Sequence, residues 1–257
     1  MHQNSIYLSL ILLLAGCSQS QKADQAAETA NAEKAVENQA VENLTANPHA
    51  NPPIDCPLHK AGLDPTKMKP FEETEKYIQF LEREDRKIWQ KPEEVVESMA
   101  LTGSERIFDI GAGSGYFTFP MSQKLTTGRV FAGDVEPEMI RHIHHTAMSK
   151  GIENIEVRLI SQTAPEVPEA IDLVFMCDVM HHIAEPEQWM AGIAKQLPEG
   201  AAFHMIEFKK GDIPSGPPEE HRIAPERLKE IAAKAGLRFD HEVEGLLPYQ
   251  YYLVFKK

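Results

Sequence analysis

Cysteine is scarce in this sequence, with 3 residues among 257. Three cysteines do not make a disulfide framework, so a domain held together mainly by disulfides is excluded. Cys177 lies in an apolar segment, where a buried free thiol is the expected state. The chain must therefore rely on a hydrophobic core, for which roughly 200 residues beyond the N-terminal region are ample.

Basic residues are outnumbered by acidic ones, with 26 Lys and Arg against 39 Asp and Glu and a net charge of −13 at pH 7. Residues 1–17 contain no Asp, Glu, Lys or Arg, so their removal would leave this charge unchanged. A protein this acidic repels phosphate backbones. Nucleic acid is therefore not expected as a substrate or partner.

A long hydrophobic run is missing from the N-terminal region, where the apolar segment 6–15 is short. About ten residues at 1.5 Å each cannot span a bilayer core of about 30 Å. The segment ends in the letters LAGC at Cys17, which resembles the lipobox of bacterial lipoproteins. The resemblance implies a signal peptide over residues 1–17 and a lipidated Cys17 that anchors the protein to a membrane on its extracytoplasmic side. Ser18 after this cysteine resembles the outer-membrane sorting pattern of enteric bacteria.

Large apolar residues are almost absent from segment 18–54, which consists mainly of Ala, Asn, Gln and Glu. Such a segment cannot bury enough surface to offset its ordering entropy. Three prolines between residues 48 and 53 mark its end. The sequence predicts a disordered tether over 18–54, followed by one globular domain over 55–257 that begins with a helical segment at 71–100.

Strand and helix patterns alternate through the rest of the chain. The predicted strands are 106–110, 129–134, 155–160, 171–176, 201–208, 239–244 and 250–256, and the main helices between them are 115–125, 137–150, 186–197 and 225–235. This order predicts an α/β fold with a mostly parallel sheet and helices on both faces. Only residues 245–249 join the last two strands, which is too short for a parallel crossover and predicts an antiparallel pair.

A glycine-rich turn follows the first predicted strand, in the sequence FDIGAGSGYF, which contains Gly111, Gly113 and Gly115. Glycine lets the backbone approach a ligand closely and adopt positive φ. About 20 residues further on, the next strand ends at Asp134. A carboxylate at that place can accept hydrogen bonds from both ribose hydroxyls of a nucleoside.

These motifs resemble the cofactor-binding half of class I S-adenosylmethionine-dependent methyltransferases. The resemblance covers roughly residues 71–257, and segment 171–182 is similar to the fourth-strand motif of small-molecule methyltransferases. It implies a Rossmann-like seven-stranded sheet, S-adenosylmethionine as the cofactor and a small-molecule methyl acceptor. Main-chain amides of the glycine turn and the following helix N-terminus would receive the cofactor carboxylate, with Asp109 on the side of its ammonium group.

Further candidate residues follow other strands, because ligands bind beyond the carboxyl ends of parallel strands. Asp178 is expected either beside the methionine part or the acceptor, or as a cap of the following turn. Gln162 is a candidate for polar contact with the adenine. If the acceptor is a hydroxyl or an amine, a base among His182, Asp178 and Glu207 would remove its proton, and the sequence does not choose among them.

Two other functions remain compatible with the sequence. The first is a binding protein that holds S-adenosylmethionine or a related nucleoside without turnover, because a lipobox implies export whereas the methyl donor is made in the cytoplasm. The second is an NAD-dependent oxidoreductase, whose fingerprint GxGxxG matches Gly111 and Gly113. Its third glycine lets the helix pack close to the strand, and Tyr116 at that place argues against a pyrophosphate cofactor.

No metal site is expected from the histidines of helix 137–150. His142 and His145 share a helix face, but the sequence offers no acidic or thiolate third ligand beside them. A polar helix face is the favoured interpretation of this pair.

Overall fold

A seven-stranded sheet lies at the centre of this computed structural model, which describes residues 71–257. The strands are β1 (Arg106–Ile110), β2 (Arg129–Asp134), β3 (Ile155–Leu159), β4 (Leu173–Cys177), β5 (Ala202–Phe208), β6 (Arg238–Glu242) and β7 (Gln250–Lys256). Their spatial order is β3-β2-β1-β4-β5-β7-β6. Strands β1 to β5 pair in parallel, and β7 runs antiparallel to both β5 and β6. The predicted Rossmann-like α/β sheet with an antiparallel last strand is confirmed.

Helices cover this sheet and precede it. They are α1 (Phe71–Leu81), α2 (Glu84–Gln90), α3 (Pro92–Ser98), α4 (Thr118–Lys124), α5 (Pro137–Ser149), α6 (Pro186–Gln196) and α7 (Pro225–Lys234), with short 3₁₀ turns at Met180–His182 and Glu219–His221. Four of these helices begin with proline, which suits a first turn because its missing N–H has no helical partner there. Helices α1 to α3 lie within the segment predicted to be helical.

Both faces of the sheet are covered by helices. Successive residues of a strand point to opposite faces, so each strand contributes side chains to the core on both sides. In β1, Ile107 belongs to a cluster with Met121 of α4, whereas Phe108 belongs to another with Met190 of α6. Burial on both sides explains why the central strands are nearly continuous apolar runs. The sheet is therefore a rigid platform, and the ends of its strands hold their side chains in fixed positions.

Several element boundaries differ from the sequence-based prediction by one to three residues, and the largest differences at element starts are those of α4 and β4. Helix α4 begins at Thr118 rather than at 115, because Gly115 has a φ of +88° and cannot be part of a helix. Strand β4 begins at Leu173 rather than at 171. The preceding Asp172 uses its carboxylate instead to accept a hydrogen bond from the Arg106 amide at 2.8 Å.

The predicted signal peptide over 1–17 and the predicted tether over 18–54 lie outside the described residues, as does the start of the predicted domain at 55–70. Within residues 71–257, no helix combines the length and the apolar character needed to cross a membrane.

Candidate functional site

A cavity of about 670 Å³ opens beyond the carboxyl ends of the parallel strands. It lies beside β1 and β4, where the strand order reverses, which is the usual ligand site of open α/β sheets. Its volume is in the range of sites that hold small molecules and cofactors. The predicted site residues that line it are Asp109, Gly111, Gly113, Asp134, Gln162, Asp178 and His182. Gly115 and Glu207 are not among the lining residues.

The glycine turn is tied to strand β2 by its backbone. The amides of Gly111 and Ala112 donate to the carbonyl of Gly133 at 2.8 and 3.0 Å. Gly111 has a φ of +74°, and a Cβ built on it would lie 2.3 Å from a methyl group of Val179. A side chain is therefore excluded at Gly111 by both backbone conformation and space.

Asp134, the last residue of β2, directs its carboxylate at the glycine turn. Its Oδ2 accepts from the Gly113 amide at 2.8 Å, and its Oδ1 accepts from the Glu136 amide at 2.9 Å. Burial raises the pKa of Asp134, although these N–H groups oppose the effect. Each carboxylate oxygen has a second lone pair, so the group retains capacity for ligand hydroxyls. The adjacent Val135 lines the same cavity and is 44% exposed, which offers an apolar surface to a flat ligand group.

Asp109 lies near the end of β1 and is 3% exposed. Thr118 donates its hydroxyl to Oδ2 of Asp109 at 2.5 Å. Burial raises the pKa of Asp109 to about 7; the Thr118 hydrogen bond opposes this rise and the negative charge of Asp134 adds to it. A cationic ligand in the cavity would favour the ionised form.

Asp178 follows β4 with a φ of +59°, a left-handed conformation that is uncommon for a residue with a side chain. Two buried amide groups hold its carboxylate: Gln250 donates to Oδ1 at 2.7 Å and Gln90 donates to Oδ2 at 2.9 Å. Burial raises the pKa of Asp178 to about 7, and the charge of Glu207 adds to the rise. The carboxylate is thus fixed beside the cavity by α2 and β7, which lie far apart in the sequence.

Glu207 lies behind the cavity and is 1% exposed. Its Oε1 accepts from the Met180 amide at 2.7 Å, and its Oε2 lies 2.8 Å from Nδ1 of His181. Both of its oxygens are therefore occupied by groups of the protein. The role of Glu207 as a base stays a prediction, and the geometry favours a different one, in which Glu207 orients His181.

His181 lines the cavity together with His182, and the two ring centroids are 4.1 Å apart. Burial alone would lower the pKa of His181, but the hydrogen bond and charge of Glu207 outweigh it and raise that pKa. The pKa of His182 is lowered, first by burial and then by the charge of His181. Sequence reasoning selected His182 of this pair. The sequence did contain an indication for His181. Glu207 lies near the end of β5, and because β5 neighbours β4, this carboxylate comes close to the residues that follow β4.

The opposite wall of the cavity comes from helices α1 and α2, which sequence reasoning did not assign to the site. Its side chains include Tyr77 and Phe80 of α1, Arg83 between the two helices, and Arg86 and Trp89 of α2. Within each helix the two residues are three apart, a spacing that keeps their side chains near one helix face and was a readable signal. Arg83 also donates to the hydroxyl of Ser215 at 3.1 Å, which links the wall to the loop that follows β5.

Gly115 has a packing role. A Cβ on it would lie 2.6 Å from the ring of Phe119 and 3.2 Å from Ile143 of α5, so this glycine allows close packing beneath the turn. Gln162 lies at the cavity edge, and its main-chain carbonyl accepts a hydrogen bond from the Trp189 indole at 3.1 Å.

Histidines elsewhere have other partners. His142 lies 3.4 Å from the carboxylate of Glu82. Among residues 71–257, no group of three or more His, Cys, Asp or Glu side chains is arranged to hold a metal ion.

Residues 108–203 match a family model described as a methyltransferase domain. A curated relative is protein-L-isoaspartate O-methyltransferase 2 from Anaeromyxobacter sp. (strain Fw109-5), which is 29% identical over 141 residues. The match covers 52% of this chain and 56% of that protein, so the chain spans about half the length of this relative.

Solved structures show the same fold. A crystal structure of a SAM-dependent methyltransferase from Aquifex aeolicus is 25% identical, with a TM-score of 0.65, and the match covers 69% of this chain and 95% of that one. Magnesium protoporphyrin IX methyltransferase from Synechocystis PCC 6803, crystallised with bound SAH, is 14% identical with a TM-score of 0.52, over 65% of this chain and 82% of that one. The described part of the chain therefore has the Rossmann-like fold of methyltransferases.

Proposed function

We propose that this chain, which carries a methyltransferase domain at residues 108–203, transfers a methyl group from S-adenosylmethionine to a small-molecule acceptor. The observation that carries the proposal is the contact between the Asp134 carboxylate and the Gly113 amide at 2.8 Å. It brings the end of β2 and the glycine turn together at the strand-order reversal, as a nucleoside site on this fold requires.

The cavity offers a partner for each part of the cofactor. Asp134 would accept hydrogen bonds from the ribose hydroxyls, and the apolar side chains of Val135 and Ile160 would contact the adenine. Asp109 and Asp178 would face the cationic amino-acid end. S-adenosylmethionine supplies an activated methyl group, so the protein mainly aligns the acceptor and excludes water.

The wall formed by α1 and α2 favours an acceptor of small size with an apolar or aromatic part. Tyr77 and Phe80 are 52% and 58% exposed although both line the cavity. Trp89 and Phe208 extend this aromatic surface, with ring centroids 5.8 Å apart. Aromatic rings bind flat apolar molecules through offset-stacked or edge contacts.

His181 is the base that the geometry favours for an acceptor hydroxyl. When Nδ1–H donates to Glu207, Nε2 carries a lone pair that accepts a proton. Glu207 then stabilises the imidazolium that forms, as a buried carboxylate does for a catalytic histidine. The proton of the acceptor would pass to Nε2 as the new bond to the methyl carbon forms and the bond from that carbon to sulfur breaks.

Two measurements on the full chain test the proposed function. The first is calorimetric titration with S-adenosylmethionine and, separately, with NAD. The second is transfer of a labelled methyl group from the donor to the components of a metabolite extract. Donor binding with label transfer supports a methyltransferase. Donor binding without transfer to any acceptor would indicate a binding protein, and binding of NAD alone would refute both.

We also propose that Cys17 is lipidated and anchors the chain to a membrane on its extracytoplasmic side. The support is the LAGC sequence after a short apolar segment. Replacement Cys17→Ser should release the protein from the membrane fraction of the cells that produce it. Unchanged membrane association of that variant would refute lipidation at Cys17.

A further inference from the structure

The glycine turn 111–115 offers few unused main-chain amides for a carboxylate. Four amides of the glycine turn already donate to oxygens of the protein, namely those of Gly111, Ala112, Gly113 and Gly115. The carboxyl groups that line the cavity beside the turn, Asp109, Asp134 and Asp178, would repel a second negative charge. A cation elsewhere on the cavity wall would therefore favour the carboxylate of a zwitterionic ligand.

Arg86 of α2 is such a cation. Its guanidinium lies over the ring of Tyr116, 4.1 Å from the ring centre, where the turn leads into α4. It donates to the carbonyl of Leu81 and to the side-chain oxygen of Gln90. Among the described residues no ion pair includes Arg86, whereas Arg83 pairs with Asp85 at 3.2 Å.

Gln90 connects Arg86 to an acid. Its amide is fully buried, with the oxygen accepting from Nε of Arg86 and the nitrogen donating to Asp178 at 2.9 Å. A positive and a negative group that both line the cavity thus lie one side chain apart. The carboxylate and ammonium of an amino acid are attached to one carbon, so they require this kind of paired partner.

We infer that Arg86 and Asp178, bridged by Gln90, bind the carboxylate and the ammonium of the methyl donor's amino-acid end. The inference rests on the proposed function and goes further, because it assigns the carboxylate to a side chain of α2 instead of the glycine turn. A guanidinium binds a carboxylate through parallel N–H groups, and stacking on Tyr116 holds it in place.

The test compares two nucleosides by calorimetry on the full chain: S-adenosylhomocysteine and its decarboxylated analogue, which lacks only the carboxylate. Arg86→Gln should weaken binding of S-adenosylhomocysteine by roughly 10- to 100-fold, as expected for loss of a charge-assisted pair, and should leave binding of the analogue within about twofold. Arg86→Lys, which keeps the charge but not the fork, should give an intermediate loss.

Arg83→Gln is the matched control, because Arg83 lines the same cavity and is paired with Asp85. It should leave the ratio of the two affinities unchanged. Equal weakening of both nucleosides by Arg86→Gln, or no weakening of either, would overturn the inference while leaving the proposed function intact. Failure of the unaltered chain to bind either nucleoside would overturn the proposed function and this inference with it.

Discussion

Glu207 of β5 and His181 of the 3₁₀ turn after β4 form a buried pair in which a carboxylate oxygen lies 2.8 Å from Nδ1 of the imidazole. The side chain of Glu207 is 2% exposed and that of His181 is 5% exposed, yet His181 still lines the cavity. This arrangement distinguishes two positions that the sequence could not distinguish. The histidine lines the cavity, whereas the glutamate lies behind it, orients the imidazole and raises its pKa.

The first prediction concerns pH. His181 must be neutral to accept a proton, so kcat/KM should fall as pH drops through its pKa, which Glu207 raises above 6.5. Glu207→Gln removes that charge, so the acidic limb should move to lower pH. The plateau rate should fall by at least tenfold. The loss should not exceed the whole contribution of a general base, which is roughly 10²–10⁴-fold.

The profile is measured with an acceptor identified by labelled-methyl transfer. A limb that stays in place in Glu207→Gln but disappears in His182→Ala would show that His182 is the base. Loss of the folded state is checked by circular dichroism, because Glu207 also accepts from the Met180 amide.

The second prediction concerns the ribose. Asp134→Asn should weaken binding of S-adenosylhomocysteine by about 10- to 100-fold, because hydrogen bonds to a charged acceptor contribute about 1.5–3 kcal/mol. The 2′-deoxy analogue should lose less, since it lacks one of the hydroxyls. Asp212→Asn, at an exposed position, controls for the change in net charge. Equal losses for the two ligands would mean that Asp134 acts through the glycine turn alone.

The third prediction concerns stability without ligand. The pKa of Asp109 is raised from 3.8 to about 7 by burial, so the folded state binds a proton that the unfolded state has released between these values. The stability from this group is full below pH 3.8 and is lost as pH rises through about 7.

Asp109→Asn should remove this contribution. The stability of the variant relative to the unaltered chain should increase as pH rises from 5 to 8. Thermal unfolding at several pH values measures this difference, and Asp212→Asn is the control. A difference between the two chains that does not change with pH would contradict a buried, titrating Asp109.

The fourth prediction compares two glycines with positive φ. Gly111→Ala adds a Cβ 2.3 Å from Val179, whereas Gly151→Ala meets nothing within 4 Å. The second change should cost about 1–2 kcal/mol from backbone conformation alone. The first should cost more by about 1–3 kcal/mol, as overpacking does, and should abolish nucleoside binding. Adding Val179→Ala to Gly111→Ala should restore part of the lost stability, as measured by urea unfolding. Equal costs for Gly111→Ala and Gly151→Ala would contradict a steric role at Gly111.

Much of the fold was predictable because its signals are local. The strand and helix patterns, the glycine turn and the short segment 245–249 each lie within a few consecutive residues. They predicted the parallel sheet and its antiparallel last strand, which the structure confirms. The start of α4 was missed because Gly115 has a φ of +88°, a backbone conformation that the helical sequence pattern does not reveal.

The sequence by itself determined the spacing from the glycine turn to Asp134 and the acids at the strand ends, because strand length and alternation fix which residues reach the rim of the sheet. Tertiary structure decided which histidine is paired with Glu207 and that α2 brings Arg86 to Tyr116. These contacts join segments that are distant in the chain, and no periodicity encodes the packing that brings them together.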